Sequence, residues 1–289
     1  MKPAPFQYAD PRSIDETVAL LGQLGDEAKI LAGGQSLVPM LNFRLARPST
    51  IVDINRVEGL NSLAPSGDAL AVGALVRQRR LEAWAREYCP LLDAALALVG
   101  HAAIRNRGTV AGSVAHADPA AELPALLVAL DGVAIARSPR GERAIAAPDL
   151  FQGPLTTSLG ADELVVETRF ALPAAGEGWG LHEVARRHGD FALAGAIAVI
   201  GLRGGRIERP RIAVFGAAPT PRRLSRAEQA LDGQSPSPSL FRDAAEDGCR
   251  DLDPPSDIHA SANYRRAVAA TLVARALADA TRRAQDRSR

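Results

Sequence analysis

The sequence has little cysteine, and this scarcity limits the chemistry it can perform. Its two cysteines, Cys89 and Cys249, lie far apart in the chain. They cannot form the disulfide framework of a small secreted domain, and they cannot supply the four thiolates of a zinc site or an iron–sulfur cluster. Two isolated cysteines are typical of a reducing compartment, so the sequence predicts a cytoplasmic protein.

The sequence also lacks an excess of charge of either sign, and it lacks a long apolar run. The 34 Lys and Arg residues nearly balance the 33 Asp and Glu residues, which leaves a formal net charge of +1. Binding to the phosphate backbone of a nucleic acid is therefore not expected. The longest apolar run, at 123–130, is far shorter than the roughly 20 residues that cross a bilayer, and residues 1–8 lack the apolar core of a signal peptide. We expect no transmembrane segment.

The order of the patterned segments predicts an α+β protein of about two domains. Ser13 and Glu16 form a capping box before a helix that ends at Gly25, and Gly204-Gly205 predicts a short hairpin. Flexible residues at 173–178 indicate a domain boundary. Strands are expected at 29–32, 50–54, 69–75, 133–137, 143–146, 163–170, 181–187, 191–203 and 206–215, and further helices at 81–88, 91–99, 120–130, 227–231, 241–249 and 261–282.

Two short loops of small and hydroxyl-bearing residues are the main candidates for a binding site. They cover residues 32–36 (AGGQS) and 109–113 (TVAGS). Successive glycines can adopt positive φ, and backbone N–H groups in such turns converge on an anion. One such loop alone is more often a tight structural turn than a binding site, whereas two loops suggest a diphosphate held by main chain from both sides. The chain contains neither the phosphate loop of nucleoside triphosphatases nor the Gly-x-Gly-x-x-Gly dinucleotide fingerprint.

Two other constellations are weaker candidates. Ser113, His116 and Asp118 could form a hydrolytic triad, but no nucleophile elbow presents the serine. His182 and His188 are six residues apart, which differs from the i, i+4 spacing of helical zinc ligands. We therefore assign no catalytic residue and no metal ligand.

Four segments together resemble one known family. They are the two loops, extended to 32–36 (AGGQS) and 107–119 (RGTVAGSVAHADP), followed by 186–192 (RRHGDFA) and 257–266 (DIHASANYRR). In this order they are similar to the FAD-binding medium subunits of molybdenum hydroxylases, a family that includes xanthine dehydrogenase and aerobic carbon monoxide dehydrogenase. The resemblance implies a vanillyl-alcohol-oxidase (PCMH)-type FAD-binding domain at 1–175, with subdomains at about 1–55 and 56–175, and a smaller α+β C-terminal domain at 179–289.

The resemblance also implies which residues bind FAD. Phe191 occupies a position where relatives often carry Tyr, so the ring contact is kept and a hydroxyl hydrogen bond is lost. Ala111 replaces a common glycine, and its methyl group is tolerated only at negative φ. Asp118 is expected to contact the adenosine-side ribose or a neighbouring backbone group, with Glu122 as the alternative for the ribose. The complete implied set is Ala32, Gly33, Gly34, Gln35, Ser36, Leu37, Thr109, Val110, Ala111, Gly112, Ser113, Asp118, Leu164 and Phe191.

The function implied by the resemblance is an electron relay. A small subunit with a 2Fe-2S cluster would pass electrons to the FAD of this chain, and a large subunit with the molybdenum cofactor would oxidise the substrate. The cysteine count agrees, because any such cluster must belong to another chain. The resemblance implies a dimer of heterotrimers, with docking near 186–191. Two alternatives stay open: a self-contained FAD-dependent oxidoreductase, and a non-catalytic nucleotide-binding module.

Overall fold

A computed structural model describes residues 2–287 of the chain. Its strands are β1 (Gln7–Ala9), β2 (Ala28–Leu31), β3 (Thr50–Asp53), β4 (Leu63–Ser66), β5 (Ala69–Gly73), β6 (Val133–Ser138), β7 (Gly141–Ala146), β8 (Phe151–Gly153), β9 (Thr156–Thr157), β10 (Leu164–Ala171), β11 (Gly178–Val184), β12 (Ala194–Arg203), β13 (Arg206–Phe215) and β14 (Arg222–Arg223). Its helices are α1 (Ile14–Leu24), α2 (Leu37–Asn42), α3 (Gln78–Tyr88), α4 (Pro90–Leu98), α5 (Ala102–Arg107), α6 (Val110–His116), α7 (Glu122–Ala129), α8 (Ala147–Leu150), α9 (Ser225–Leu231), α10 (Pro238–Cys249) and α11 (Ala262–Arg287).

The N-terminal part contains a parallel sheet with the strand order β1-β3-β2. The predicted cap of α1 is present, because the amide of Glu16 donates to the Ser13 hydroxyl at 3.1 Å. The Glu16 carboxylate accepts from the amide of Arg12 at 2.7 Å. Gly25, at φ +55, ends the helix. Since β2 and β3 are parallel, the residues that follow both strands lie at one edge of the sheet.

The middle part is an antiparallel sheet with the order β4-β5-β10-β6-β7, and helices α3 to α7 lie between β5 and β6 in the chain. β6 and β7 form a hairpin, with Ser138 paired to Gly141. Helix α6 packs against β5 and β10, and α7 packs against β12 and β13. The helices therefore join the middle sheet to the C-terminal one.

The C-terminal sheet, β11-β12-β13-β14, is covered on both faces. Ile197 and Val199 of β12 belong to the core shared with the N-terminal part, whereas Ala196, Ala198 and Ile200 pack in a second core with α9 to α11. Because neighbouring residues of a strand point to opposite faces, a strand covered on both faces is apolar throughout. This explains the unbroken apolar run of β12.

The structure differs from the sequence-based expectations mainly in short elements. Strand β11 begins at Gly178 rather than near 181. Its first residues include Gly178 and Gly180, which give little strand signal in the sequence but lie against α11, since a Cβ at Gly180 would overlap the carbonyl oxygen of Ala276. β12 begins at Ala194 rather than 191, so residues 185–193 form a loop. The helices α5 and α6 and the short strands β1, β4, β8, β9 and β14 were not predicted, since pieces this short give too little periodicity.

Candidate functional site

The two predicted loops meet in the structure, although they are far apart in the sequence. We call residues 32–36 loop A and residues 107–113 loop B. A Cβ built on Gly33 of loop A would lie 2.6 Å from the carbonyl oxygen of Arg107 and 2.9 Å from the amide nitrogen of Thr109. Only glycine permits this approach of two backbones. A Cβ on Gly112 would in turn lie 3.9 Å from that of Ala32.

Loop A connects the end of β2 to the start of α2 and presents unused backbone donors. Gly34 adopts φ +73, which turns the chain between the two elements. No hydrogen bond within residues 2–287 uses the amide N–H groups of Gly34, Gln35 and Ser36. These residues are half-buried, so the donors lie at a partly shielded surface. Consecutive unbonded amides around a glycine at positive φ form the kind of concavity that holds an anion.

Loop B includes the start of α6, because residues 110–113, which the sequence predicted as part of a loop, form the first turn of this helix. The Thr109 side chain caps this helix, and its hydroxyl oxygen accepts from the amide of Gly112 at 3.1 Å, so the hydroxyl proton remains available to another acceptor. The side chains of Val110 and Ala111 are buried, at 0% and 3% exposure, so only their main chain can face a ligand. Ala111 is not at positive φ, and its methyl group is accommodated.

Two polar side chains outside the predicted set connect the loops. The side-chain amide of Asn55 donates to the carbonyl of Ala32 at 2.8 Å. The Arg77 guanidinium donates from Nη2 to Asn55 Oδ1 at 2.6 Å and from Nη1 to the carbonyl of Arg107. A signal for Asn55 did exist, because polar residues after the carboxyl end of a parallel strand often lie at a site.

Three carboxyl groups lie near the start of α7. Asp118 is half-buried, and its Oδ1 accepts from the amide of Ala120 at 2.8 Å, which shapes the turn into the helix. Burial, together with the charge of Asp118, raises the pKa of Glu122 to about 7. Burial and the charge of Glu122 raise the pKa of Glu183, on β11, to about 8, and Glu183 Oε2 has no hydrogen-bond partner within residues 2–287. A carboxyl group that keeps its proton near neutral pH can donate a hydrogen bond as well as accept one.

Three implied flavin contacts remain. Leu37 is half-buried at the start of α2, directly after loop A, and Leu164 and Phe191 lie on other elements. Leu164 is 2% exposed in β10, the strand against which α6 packs. Phe191 is 68% exposed in the loop of residues 185–193. Exposure of a large aromatic side chain beside Arg186 and Arg187, which are also exposed, makes this loop a candidate contact surface.

The histidines do not converge on one point. His182 Nε2 lies 3.0 Å from Asp279 Oδ2, whereas the ring of His188 stacks on that of His101 with 6.5 Å between centroids. Within residues 2–287, no group of three or more His, Cys, Asp or Glu side chains is arranged to hold a metal ion. No helix in that range is long and apolar enough to span a membrane.

Comparisons with known proteins agree with this geometry. The family model described as the FAD binding domain in molybdopterin dehydrogenase matches residues 4–174, and the CO dehydrogenase flavoprotein C-terminal domain matches residues 179–280. The chain is 43% identical to the 6-hydroxypseudooxynicotine dehydrogenase complex subunit alpha of Paenarthrobacter nicotinovorans, over 99% of this chain and 97% of that protein. It is 40% identical to the caffeine dehydrogenase subunit beta of Pseudomonas sp. strain CBB1, over 98% of this chain and 97% of that protein. A chain of carbon monoxide dehydrogenase from Hydrogenophaga pseudoflava superposes with a TM-score of 0.95 at 38% identity, covering 98% of this chain and 99% of that one.

The fold and the two-loop site define a flavoprotein with a vanillyl-alcohol-oxidase (PCMH)-type FAD-binding domain and a C-terminal α+β domain. Within this class, the chain belongs to the FAD-binding medium subunits of the molybdenum hydroxylases, which are oxidoreductase complexes of the xanthine dehydrogenase and CO dehydrogenase type. The predicted family, fold class, enzyme class and cofactor are thereby confirmed. The residues of loops A and B fit FAD, because the unbonded amides of loop A, the Thr109 hydroxyl and the nearby Arg77 and Arg107 suit its diphosphate.

Proposed function

We propose that this medium subunit relays electrons from a partner 2Fe-2S subunit through FAD to a terminal acceptor. The observation that carries the proposal is that loops A and B meet beside the unbonded backbone donors of loop A, in a chain that belongs to a family of multi-subunit oxidoreductases. FAD supplies the redox chemistry when it is bound. The chain supplies binding, orientation and shielding from water, and no general acid or base is assigned.

Different residues are proposed to contact the diphosphate, the ribose and the ring system of FAD. Loop A, with Leu37, holds the diphosphate from one side. Loop B holds it from the other side through the hydroxyl proton of Thr109, because the amides of Val110, Gly112 and Ser113 already donate within the chain. Glu122 is the better of the two ribose candidates, because one oxygen of Asp118 is already used to shape the turn before α7. Leu164 contributes apolar surface near the ring system, and Phe191 packs against the ring.

The partners proposed are a small iron–sulfur subunit and a large subunit with the molybdenum cofactor, assembled as a dimer of heterotrimers. The names of similar proteins support a multi-subunit complex, since they are given as subunits or medium chains. We place the docking surface for the cluster-bearing subunit at residues 186–191, where Phe191 is 68% exposed and Arg186 pairs only loosely with Asp190, at 3.4 Å. We also propose a cytoplasmic location, because both cysteines are buried thiols.

Reconstitution of the complex tests the relay. The lone chain should carry about one FAD, release it intact in acid and contain no iron or molybdenum. Its flavin should accept electrons from a strong chemical reductant, and substrate should reduce it only after both partner subunits are added. Substrate turnover by the lone chain would instead support a self-contained oxidoreductase, and FAD binding without reduction in any complex would support a non-catalytic module.

Charge reversal tests the docking surface. Replacing Arg186 and Arg187 by Glu should slow flavin reduction in the complex without changing FAD content. The matched control reverses Arg203 and Arg206, which are also exposed. They pair with each other at the far end of β12, about 30 Å from its start at 3.3 Å per residue. If both double variants reduce the flavin at the wild-type rate, the docking surface lies elsewhere while the relay stands.

A further inference from the structure

We propose that Arg77 and Asn55 are positioning residues for FAD, forming a side-chain latch that fixes the distance between loops A and B. This inference rests on the proposed placement of the diphosphate between the loops. The latch is a continuous path: the carbonyl of Ala32 in loop A accepts from Asn55, Asn55 Oδ1 accepts from Arg77, and Arg77 donates to the carbonyl of Arg107 in loop B.

The orientation of the Asn55 amide is fixed by its surroundings. Besides the bond to Ala32, Nδ2 donates to Asp53 Oδ1 at 2.6 Å, and the backbone amide of Asn55 donates to the same oxygen at 2.9 Å. The other oxygen of Asp53 accepts from the Tyr8 hydroxyl at 2.7 Å. A flipped amide would face Arg77 with a donor and Asp53 with an acceptor. The network therefore holds Asn55 Oδ1 toward Arg77.

Arg77 is held from its backbone as well. It precedes α3 in an extended conformation and forms an isolated antiparallel bridge with Thr109. On either side of it, the Gln78 amide donates to Gly108 at 2.9 Å and the Val110 amide donates to Val76 at 3.1 Å. The main chain around Arg77 thus anchors one end of loop B, and its side chain holds the carbonyl of Arg107.

That carbonyl is the group against which Gly33 packs. A Cβ on Gly33 would lie 2.6 Å from the Arg107 oxygen, so any shift of this oxygen changes the gap between the loops. The guanidinium is suited to the task because its planar fork reaches two acceptors at once, whereas an ammonium on a flexible stem does not hold two acceptors in a fixed geometry.

The positive charge of Arg77 gives this residue a second effect on an anion bound between the loops. Burial and the positive charge of Arg107 lower the pKa of Arg77, so two guanidinium groups lie near each other at loop B. Arg107 forms no ion pair within residues 2–287. A diphosphate between the loops would relieve this repulsion.

The latch is tested by titrating FAD into apoprotein of the full chain and following flavin fluorescence. Arg77→Met and Asn55→Ala should each weaken FAD binding about 10- to 100-fold, the range for loss of a charge-assisted hydrogen bond. The double variant should bind no more weakly than the weaker single variant, because both remove one connection. Arg77→Lys should stay weak. The matched control is Arg80→Met, in the first turn of α3, which removes a similar hydrogen bond from Arg80 Nη1 to the Asn61 carbonyl at 2.6 Å. Arg80→Met should keep the wild-type affinity for FAD. Its apoprotein Tm should equal that of Arg77→Met, so that the two variants differ in FAD binding and not in stability.

Wild-type affinity in Arg77→Lys, or additive losses in the double variant, would overturn the latch. A lower apoprotein Tm with unchanged FAD affinity in Arg77→Met would also overturn it and would make the residue structural. Gly33→Ala separates this failure from that of the site itself. If Gly33→Ala loses FAD while Arg77→Met keeps it, only the latch fails; if both keep it, the diphosphate is not held by these loops.

Discussion

Glu183 on β11 lies close enough to Glu122 on α7 for the charge of Glu122 to raise its pKa, which burial and this charge together bring to about 8. The two residues come from opposite sides of the predicted boundary at 173–178, so this electrostatic interaction exists only in the folded chain. Burial is the main cause of the raised pKa of both residues.

This pair predicts how apoprotein stability depends on pH. The pKa of Glu122 rises from 4.5 in the unfolded chain to about 7, and that of Glu183 rises from 4.5 to about 8. Between pH 4.5 and these folded values, the folded state therefore binds more protons than the unfolded state. The stabilisation is fully present below the unfolded pKa and is lost as pH rises through the folded values. Urea unfolding from pH 5 to 9 should show a falling free energy of unfolding, with a smaller fall in Glu183→Gln. The control, Glu142→Gln, changes an exposed side chain on β7. Equal slopes in all three proteins would contradict the prediction.

Gly34→Ala should impair FAD binding through strain in loop A. Its φ of +73 disfavours any side chain, and a Cβ would lie 3.2 Å from side-chain atoms of both Leu31 and Val38. Gly67→Ala is the matched control, because Gly67 has φ +63 and nothing within 4 Å of a Cβ. Both variants should lose about 1–2 kcal/mol of stability, while only Gly34→Ala weakens FAD binding. Equal FAD affinity in the two variants would exclude loop A from the site.

Substitution of Glu122 should affect FAD affinity, whereas substitution of Asp118 should affect the free energy of unfolding. Glu122→Ala should weaken FAD binding by about 10-fold, since one hydrogen bond to the ribose is lost. Asp118→Ala should keep FAD affinity and lower the free energy of unfolding by about 1 kcal/mol, because the bond to the Ala120 amide disappears. Fluorescence titration and urea unfolding of both variants measure the two effects. The reverse result would assign the ribose contact to Asp118.

Gly180→Ala should destabilise the C-terminal core. An added Cβ would overlap the backbone of Ala276, so α11 must move away from β11, at a cost of about 1–3 kcal/mol. Gly153→Ala is the control, since a Cβ there would lie 4.0 Å from Thr156 and meet nothing closer. Thermal unfolding of the two variants checks the difference. Equal Tm values would mean that α11 adjusts without loss of packing.

The sequence was sufficient wherever the information is local. Ser13 and Glu16 mark the start of α1, Gly204 and Gly205 form the hairpin between β12 and β13, and both glycines have positive φ as that turn requires. Loops A and B could be recognised because small residues beside strand and helix ends form a local pattern. The cysteine count is sufficient by itself to exclude a four-thiolate iron–sulfur cluster from this chain.

The reason for each glycine in the loops needed the tertiary structure. Positive φ, expected from successive glycines, occurs at Gly34 but not at Gly33 or Gly112. Gly33 is required by the backbone of loop B, which comes from a distant part of the chain. No local pattern contains that contact.

Composition, the loop motifs and the family were thus determined by the sequence itself, because each depends on residue types and their spacing. Only the folded chain decided that Asn55 and Arg77 connect the two loops, and that Glu122 and Glu183 share a buried region. Hydrogen-bond geometry and desolvation depend on which distant segments pack together. Parallel pairing of β2 with β3, and packing of α7 on the C-terminal sheet, establish those neighbours.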